Sequence, residues 1–121
     1  MPLERRDLTR LVDMLHYARV VAKIIHENGL VDYVAFDANA MAKLAVVRCV
    51  EVIGEAGHHV SPAVQAALPT VPWPMMWGMR NRLIHDYGNT NYRIVHWTVV
   101  QELPGLAATL ETFLVQHGHT A

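Results

Sequence analysis

The stretch E-R-R-D-L-T-R-L-V-D-M-L-H-Y-A-R-V-V-A-K-I-I-H-E-N-G, residues 4–29, decides the architecture. Leu8, Leu11, Val12, Leu15, Ala22 and Ile25 recur at helical spacing, while Arg5, Arg6, Asp13 and Lys23 fall mostly off that stripe. An apolar stripe with this period is what an amphipathic helix needs to bury one face and wet the other. A first helix is therefore expected over residues 4–28. Asn28-Gly29 ends it, because glycine takes the left-handed conformation that a helix C-terminus often requires.

Working outward, a second long helix is expected after a short extended linker, with Asp37 accepting from the free backbone amides of its first turn and Gly57 near its end. Ser61-Pro62 pairs a capping hydroxyl with a proline at the first helical position, so residues 61–68 form a short helix, stopped by the P-T-V-P-W-P segment. Pro74 opens a third long element over residues 75–87, with Met75, Met76, Met79, Leu83 and Ile84 on a broad face and Gly88-Asn89 as its stop. From Asn91 to His117 a last helical stretch turns Ile94, Trp97, Val100, Leu103, Leu110 and Leu114 inward, and Pro104 kinks or divides it. Strand alternation, internal repeats, low-complexity segments and domain linkers are missing from this pattern. The expected fold is a single all-α domain over residues 1–121, an antiparallel four-to-five-helix bundle.

Composition bounds the function. At 121 residues the chain suits one domain, which buries roughly two-thirds of the surface of its unfolded chain. It is 52% hydrophobic and 17% charged, against about 25% charged for an average soluble domain, so some apolar surface is expected to face another subunit. A formal net charge of −1 creates no global field toward nucleic acid or an anionic membrane, so any RNA contact must be local. The single Cys49, in an apolar run, reads as a buried small hydrophobe and agrees with a reducing, cytoplasmic setting. The opening M-P-L-E-R-R-D carries no signal-peptide pattern, and Lys43, Arg48 and Glu51 break the most apolar segment, so no membrane partner is expected.

The chemistry concentrates in R-N-R-L-I-H-D-Y, residues 80–87. One account is a solvated helix face on which Arg82 and Asp86 pair across one turn. The other is RNA cleavage without a metal, which needs a group that titrates near neutrality to move the proton of the 2′-hydroxyl or the leaving oxygen, and a fixed cation for the phosphorane charge. His85 and Arg80 are those two types, and the planar fork of arginine can hold two phosphate oxygens without losing its charge. Asn81, one turn before His85, is placed to orient the imidazole. Arg80 and His85, five residues apart, point roughly 140° apart around the helix axis, so a single chain aligns them awkwardly. A two-fold dimer would let one cleft gather these side chains from both copies.

Arg80-x4-His85-x-Tyr87, the following N-Y-R-I-V-H-W-T-V-V-Q-E-L-P-G-L, the preceding W-P-M-M-W-G-M-R-N-R and the I-G-E-A of residues 53–56 together resemble the HEPN superfamily, and within it the HepT toxins of the HepT/MntA toxin–antitoxin system. The resemblance spans nearly the whole chain. It implies an all-α homodimer acting as a metal-independent ribonuclease on tRNA or mRNA, with Arg80 and His85 catalytic and no cofactor. It also implies an MntA-like nucleotidyltransferase antitoxin that transfers AMP from ATP to Tyr87, adding bulk and negative charge where an RNA phosphate must sit. The competing reading is a non-catalytic helical binding module that docks a nucleotidyltransferase.

Other groups carry smaller expectations. Glu51, Glu55 and His59 form a stripe that could hold a metal, or a polar helix face on which Glu55 pairs with His58; a fourth ligand is not evident, and no metal is expected. Gly54 suits close helix packing. Trp73, Trp77 and Trp97 are candidates for base stacking or for core positions. Arg93, with Arg80 and Arg82, could extend a basic strip toward RNA. His16, His26 and His96 read as boundary residues, and His117 and His119 as a solvated C-terminus.

Overall fold

The computed structural model describes residues 2–86 and 88–119. It contains seven helices among those residues: α1 (Arg5–Glu27), α2 (Tyr33–Asp37), α3 (Ala40–His58), α4 (Pro62–Ala67), α5 (Trp73–His85), α6 (Tyr92–Gln101) and α7 (Leu103–Gln116). The long helices α1, α3, α5 and the α6–α7 pair make the bundle, and α2 and α4 are short connecting turns. No helix among the described residues is long and apolar enough to cross a membrane.

α1 lies between α3 and α7 and contributes Leu11, Met14, Leu15, Ala18, Val21 and Ile25 to the core. The buried stripe is displaced slightly from the expected one: Val12 and Ala22 face solvent, and Met14, Ala18 and Val21 take the inward positions. Asp7 fixes the start of this helix. Its buried carboxylate accepts from the Ser61 backbone amide at 2.8 Å and from the Ser61 hydroxyl at 2.7 Å. The same hydroxyl oxygen accepts from the Val64 amide at 3.4 Å, which caps α4 as the Ser-Pro pair leads one to expect. A buried carboxylate holding two hydrogen bonds is the arrangement that makes its burial tolerable, and each such bond contributes about 1.5–3 kcal/mol. It joins the beginning of α1 to the end of α3, so these two helices run antiparallel.

The α1–α3 connection corrects the expected extended linker. Asp32 accepts from the Ala35 amide at 3.2 Å and starts α2, and Asn39, not Asp37, caps α3 by accepting from the Ala42 amide at 3.0 Å. Asp37 is the last residue of α2, and its carboxylate lies 3.3 Å from Lys43 Nζ. Gly29 and Gly88 have φ of 64° and 65°, the left-handed region expected of both helix stops.

Glu102 separates α6 from α7, with Pro104 in the first turn of α7, so proline divides the last helical stretch. His96 is buried, and its Nε2 donates to the Leu30 carbonyl at 2.9 Å beside Phe36 and Tyr33. That bond pins α6 to the end of α1, so His96 is a core residue and not the boundary residue its position suggested. Leu103, Leu110 and Leu114 are buried as expected, Val100 is half-buried, and Ile94 and Trp97 are exposed. The apolar face of α6 is wider than the core that covers it. His117 closes α7 through Nδ1, which donates to the Phe113 carbonyl at 2.8 Å, and both His117 and His119 are half-buried. Cys49 is buried, and burial pushes its thiol up from the usual value, outweighing the lowering by Arg48.

α5 packs antiparallel on α3 and has no fully buried residue. Its approach depends on Gly54 and Gly57. A Cβ at Gly54 would stand 2.6 Å from Arg80 Cβ and 2.8 Å from the Met76 carbonyl, and one at Gly57 would stand 3.2 Å from Met76 Cε. Gly78, on α5 itself, has open space where a Cβ would point. These two surroundings predict opposite signs in urea or thermal denaturation. Gly54→Ala loses about 1–3 kcal/mol through overpacking, whereas Gly78→Ala gains about 0.5–1 kcal/mol because alanine is the better helix former. A Gly54→Ala protein as stable as wild type would contradict the close contact of α3 and α5.

Candidate active site

α5 starts within a proline-rich turn. Trp73 is its first residue and Pro74 its second, and the Trp73 indole Nε1 donates to the Leu68 carbonyl at 3.1 Å, which ties the helix start to the end of α4. Met75 is exposed, while Met76, Met79 and Leu83 rest half-buried against the core. From this platform Arg80 and His85 project in different directions, as their helical offset requires.

Arg80 turns toward α3. Its Nη2 lies 3.1 Å from Glu55 Oε2, its Nη1 donates to Asn81 Oδ1 at 2.9 Å, and its Cζ sits over the Trp77 ring at 4.8 Å from the centroid. Arg80 Nε and Glu55 Oε2 are both buried without an aligned hydrogen bond, so the 3.1 Å contact is a charge pair met off the hydrogen-bonding axis. The other Glu55 oxygen, Oε1, lies 3.1 Å from His59 Nε2. Glu55 thus pairs with His59, not with His58. His58 instead stacks on Trp77 at 3.7 Å between centroids with the rings 10° from parallel. Among the described residues no three of the histidine, cysteine and carboxylate side chains converge as a metal site would require.

His85 is the last residue of α5 and is exposed. Among the described residues no hydrogen bond or ion pair joins it to Arg80. Asn81 is one turn away, but its amide oxygen accepts from Arg80, so the orienting contact expected for His85 is made to the arginine. Tyr87 lies outside the described residues. Arg82 is exposed and borders a groove of about 490 Å³ between α5 and the α6–α7 pair, whose apolar walls include Ile53, Met75, Met79, Ile94 and Trp97. Arg93 belongs elsewhere: its guanidinium lies over the Tyr33 ring at 4.3 Å, against α2. The three arginines therefore do not form one strip. Trp77 is covered by His58 and Arg80, and Trp73 is tied to α4, which leaves Trp97 as the most open of the three indoles.

Glu55 is the site residue that the sequence placed in the wrong company. Its position in I-G-E-A, directly after a glycine suited to close packing, was the available signal that it faces another helix.

The family model described as ribonuclease HepT-like matches residues 14–113. A protein of Methanocaldococcus jannaschii named "Putative RNase MJ1380" is 37% identical over 101 residues, covering 83% of this chain and 89% of its own. Another from the same organism, "Putative RNase MJ0125", is 34% identical over 113 residues, 93% of this chain and 95% of its own. "Probable ribonuclease HepT" of Thermococcus cleftensis is 27% identical over 109 residues, 90% of this chain and 96% of its own. No solved structure gives a significant match. With a family match that takes in Gly54, Glu55, Arg80, His85 and most of the bundle around them, the chain belongs to the HepT-like ribonuclease family.

Proposed function

We propose that this protein is the ribonuclease toxin of a toxin–antitoxin pair and cleaves cellular RNA without a metal ion. The observation that carries this reading is the pairing, on one outward helix, of a firmly held arginine with an exposed histidine. Arg80 is restrained on three sides, as a cation must be if it is to meet a phosphate without reorganising. His85 is open to solvent and to substrate. In the reaction the RNA 2′-oxygen attacks phosphorus and the 5′-oxygen leaves. The imidazole of His85 moves the proton released by the first or required by the second, and Arg80 offsets the charge that builds on the nonbridging oxygens.

The active form in this reading is a homodimer. Arg80 faces α3 and His85 faces away, so a two-fold pairing of α5 helices lets each phosphate meet groups from both copies. The exposed Met75, Ile94 and Trp97 beside the groove supply apolar surface for such an interface. Regulation falls to Tyr87, two residues after His85: a nucleotidyltransferase antitoxin places AMP on its hydroxyl, and the added phosphate repels the RNA backbone.

Three measurements test this. Purified protein incubated with total RNA in EDTA should degrade it, and His85→Ala and Arg80→Ala should each slow cleavage by about 10²-fold or more. Equal activity in all three proteins, or complete loss on chelation, would overturn the reading. Light scattering should give the mass of a dimer at working concentration, and a monomer there would remove the composite cleft. With the antitoxin and ATP, wild type should gain mass in units of AMP while Tyr87→Phe does not; an unshifted wild type would rule out the switch.

A further inference from the structure

Two consecutive residues of the I-G-E-A segment, Gly54 and Glu55, both meet Arg80, and the reaction described above uses neither. The Gly54 backbone admits the root of the arginine side chain, with Arg80 Cβ only 2.6 Å from where a Cβ on residue 54 would lie. Glu55 reaches the other end of the same side chain, at 3.1 Å from Nη2. Its second oxygen is engaged by His59 at 3.1 Å, so one carboxylate bridges a histidine on its own helix and the arginine on α5. Trp77 backs the guanidinium, and His58 backs Trp77.

We propose that Glu55 is a positioning residue for Arg80: its carboxylate, steadied by His59, fixes the direction in which the guanidinium meets the scissile phosphate. This rests on the ribonuclease reading of Arg80. A free arginine samples many rotamers, and only a small fraction of them would present the planar fork to a phosphate. These contacts remove that freedom before substrate arrives. Gly54 sets where the side chain leaves α5, Trp77 limits the plane of the fork, and Glu55 sets its rotation. Because the Glu55–Arg80 pair is partly exposed, with side-chain exposures of 41% and 24%, water screens its attraction, and its contribution is direction more than fold stability. The carboxylate binds one edge of the fork. His59 shares its negative charge, which lessens the competition between Glu55 and an entering phosphate.

The test begins on unsubstituted full-length protein. The Nε–Hε resonance of Arg80, assigned by its disappearance in Arg80→Lys, should be sharp and displaced from those of the exposed arginines. A resonance as mobile as theirs overturns the proposal without any variant having to fold. In Glu55→Gln, which keeps the shape and removes the charge, that resonance should move into the exposed group while far-UV circular dichroism and thermal midpoint stay near wild type. kcat should fall roughly ten- to a hundredfold with KM nearly unchanged. An equally ordered Arg80 in Glu55→Gln would overturn the proposal. So would a rise in KM at unchanged kcat, or faster cleavage, since the last would make Glu55 a competitor of the phosphate. If wild type cleaves no RNA at all, the ribonuclease reading fails, and the order of the guanidinium still decides whether Glu55 holds it.

Discussion

Where α3 and α5 cross, a glycine lets the backbone of one helix touch the side-chain root of the other. The approach at Gly54 is too tight for any other residue without displacement. Everything at the site follows from this contact, because it sets how far α5 stands from the core and therefore which of its side chains reach back to α3. Arg80 reaches back and finds Glu55; His85, farther along and rotated away, does not. The rest of the bundle supports that crossing indirectly. Asp7 and Ser61 hold the end of α3 against α1, and the Trp73 indole fixes where α5 begins.

The long helices were legible because each combines an apolar period with a chemical stop. Asn28-Gly29 and Gly88-Asn89 as stops, and Ser61-Pro62 as the start of the short α4, act through local backbone geometry, which a sequence carries within a few residues. α2 was not legible because Asp32, Asp37 and Asn39 are all residue types that can cap, and local sequence does not distinguish Asp32 and Asn39, which do, from Asp37, which does not. The burial of α6 shows the same limit from the other side. Ile94 and Trp97 are as apolar as their buried neighbours, but a pattern of apolar residues does not say how wide the opposing surface is. His96 reads as polar and is buried because the Leu30 carbonyl, far away in the chain, gives its nitrogen a partner.

The candidate site divides in a similar way. That Arg80 and His85 share a helix and diverge around it is a property of helical geometry and could be read directly. That His58 stacks on Trp77 and that Glu55 meets Arg80 depend on which helix packs against which. Those contacts join residues remote in sequence through side chains whose identities allow several pairings. Glu55 could reach His58, His59 or a cation on another helix, and the crossing at Gly54 selects among them.

α5 carries no fully buried residue and leans on a single long neighbour, α3. A helix held in this way can exchange its outward side chains without opening cavities in the core, since large losses of stability come from buried groups. Outward positions such as Met75 and Arg82 can therefore change at little cost to the fold, while the α3-facing side is held by the crossing at Gly54. The bundle thus separates the side of α5 on which its packing depends from the side on which the fold makes few demands, and it does so within one helix.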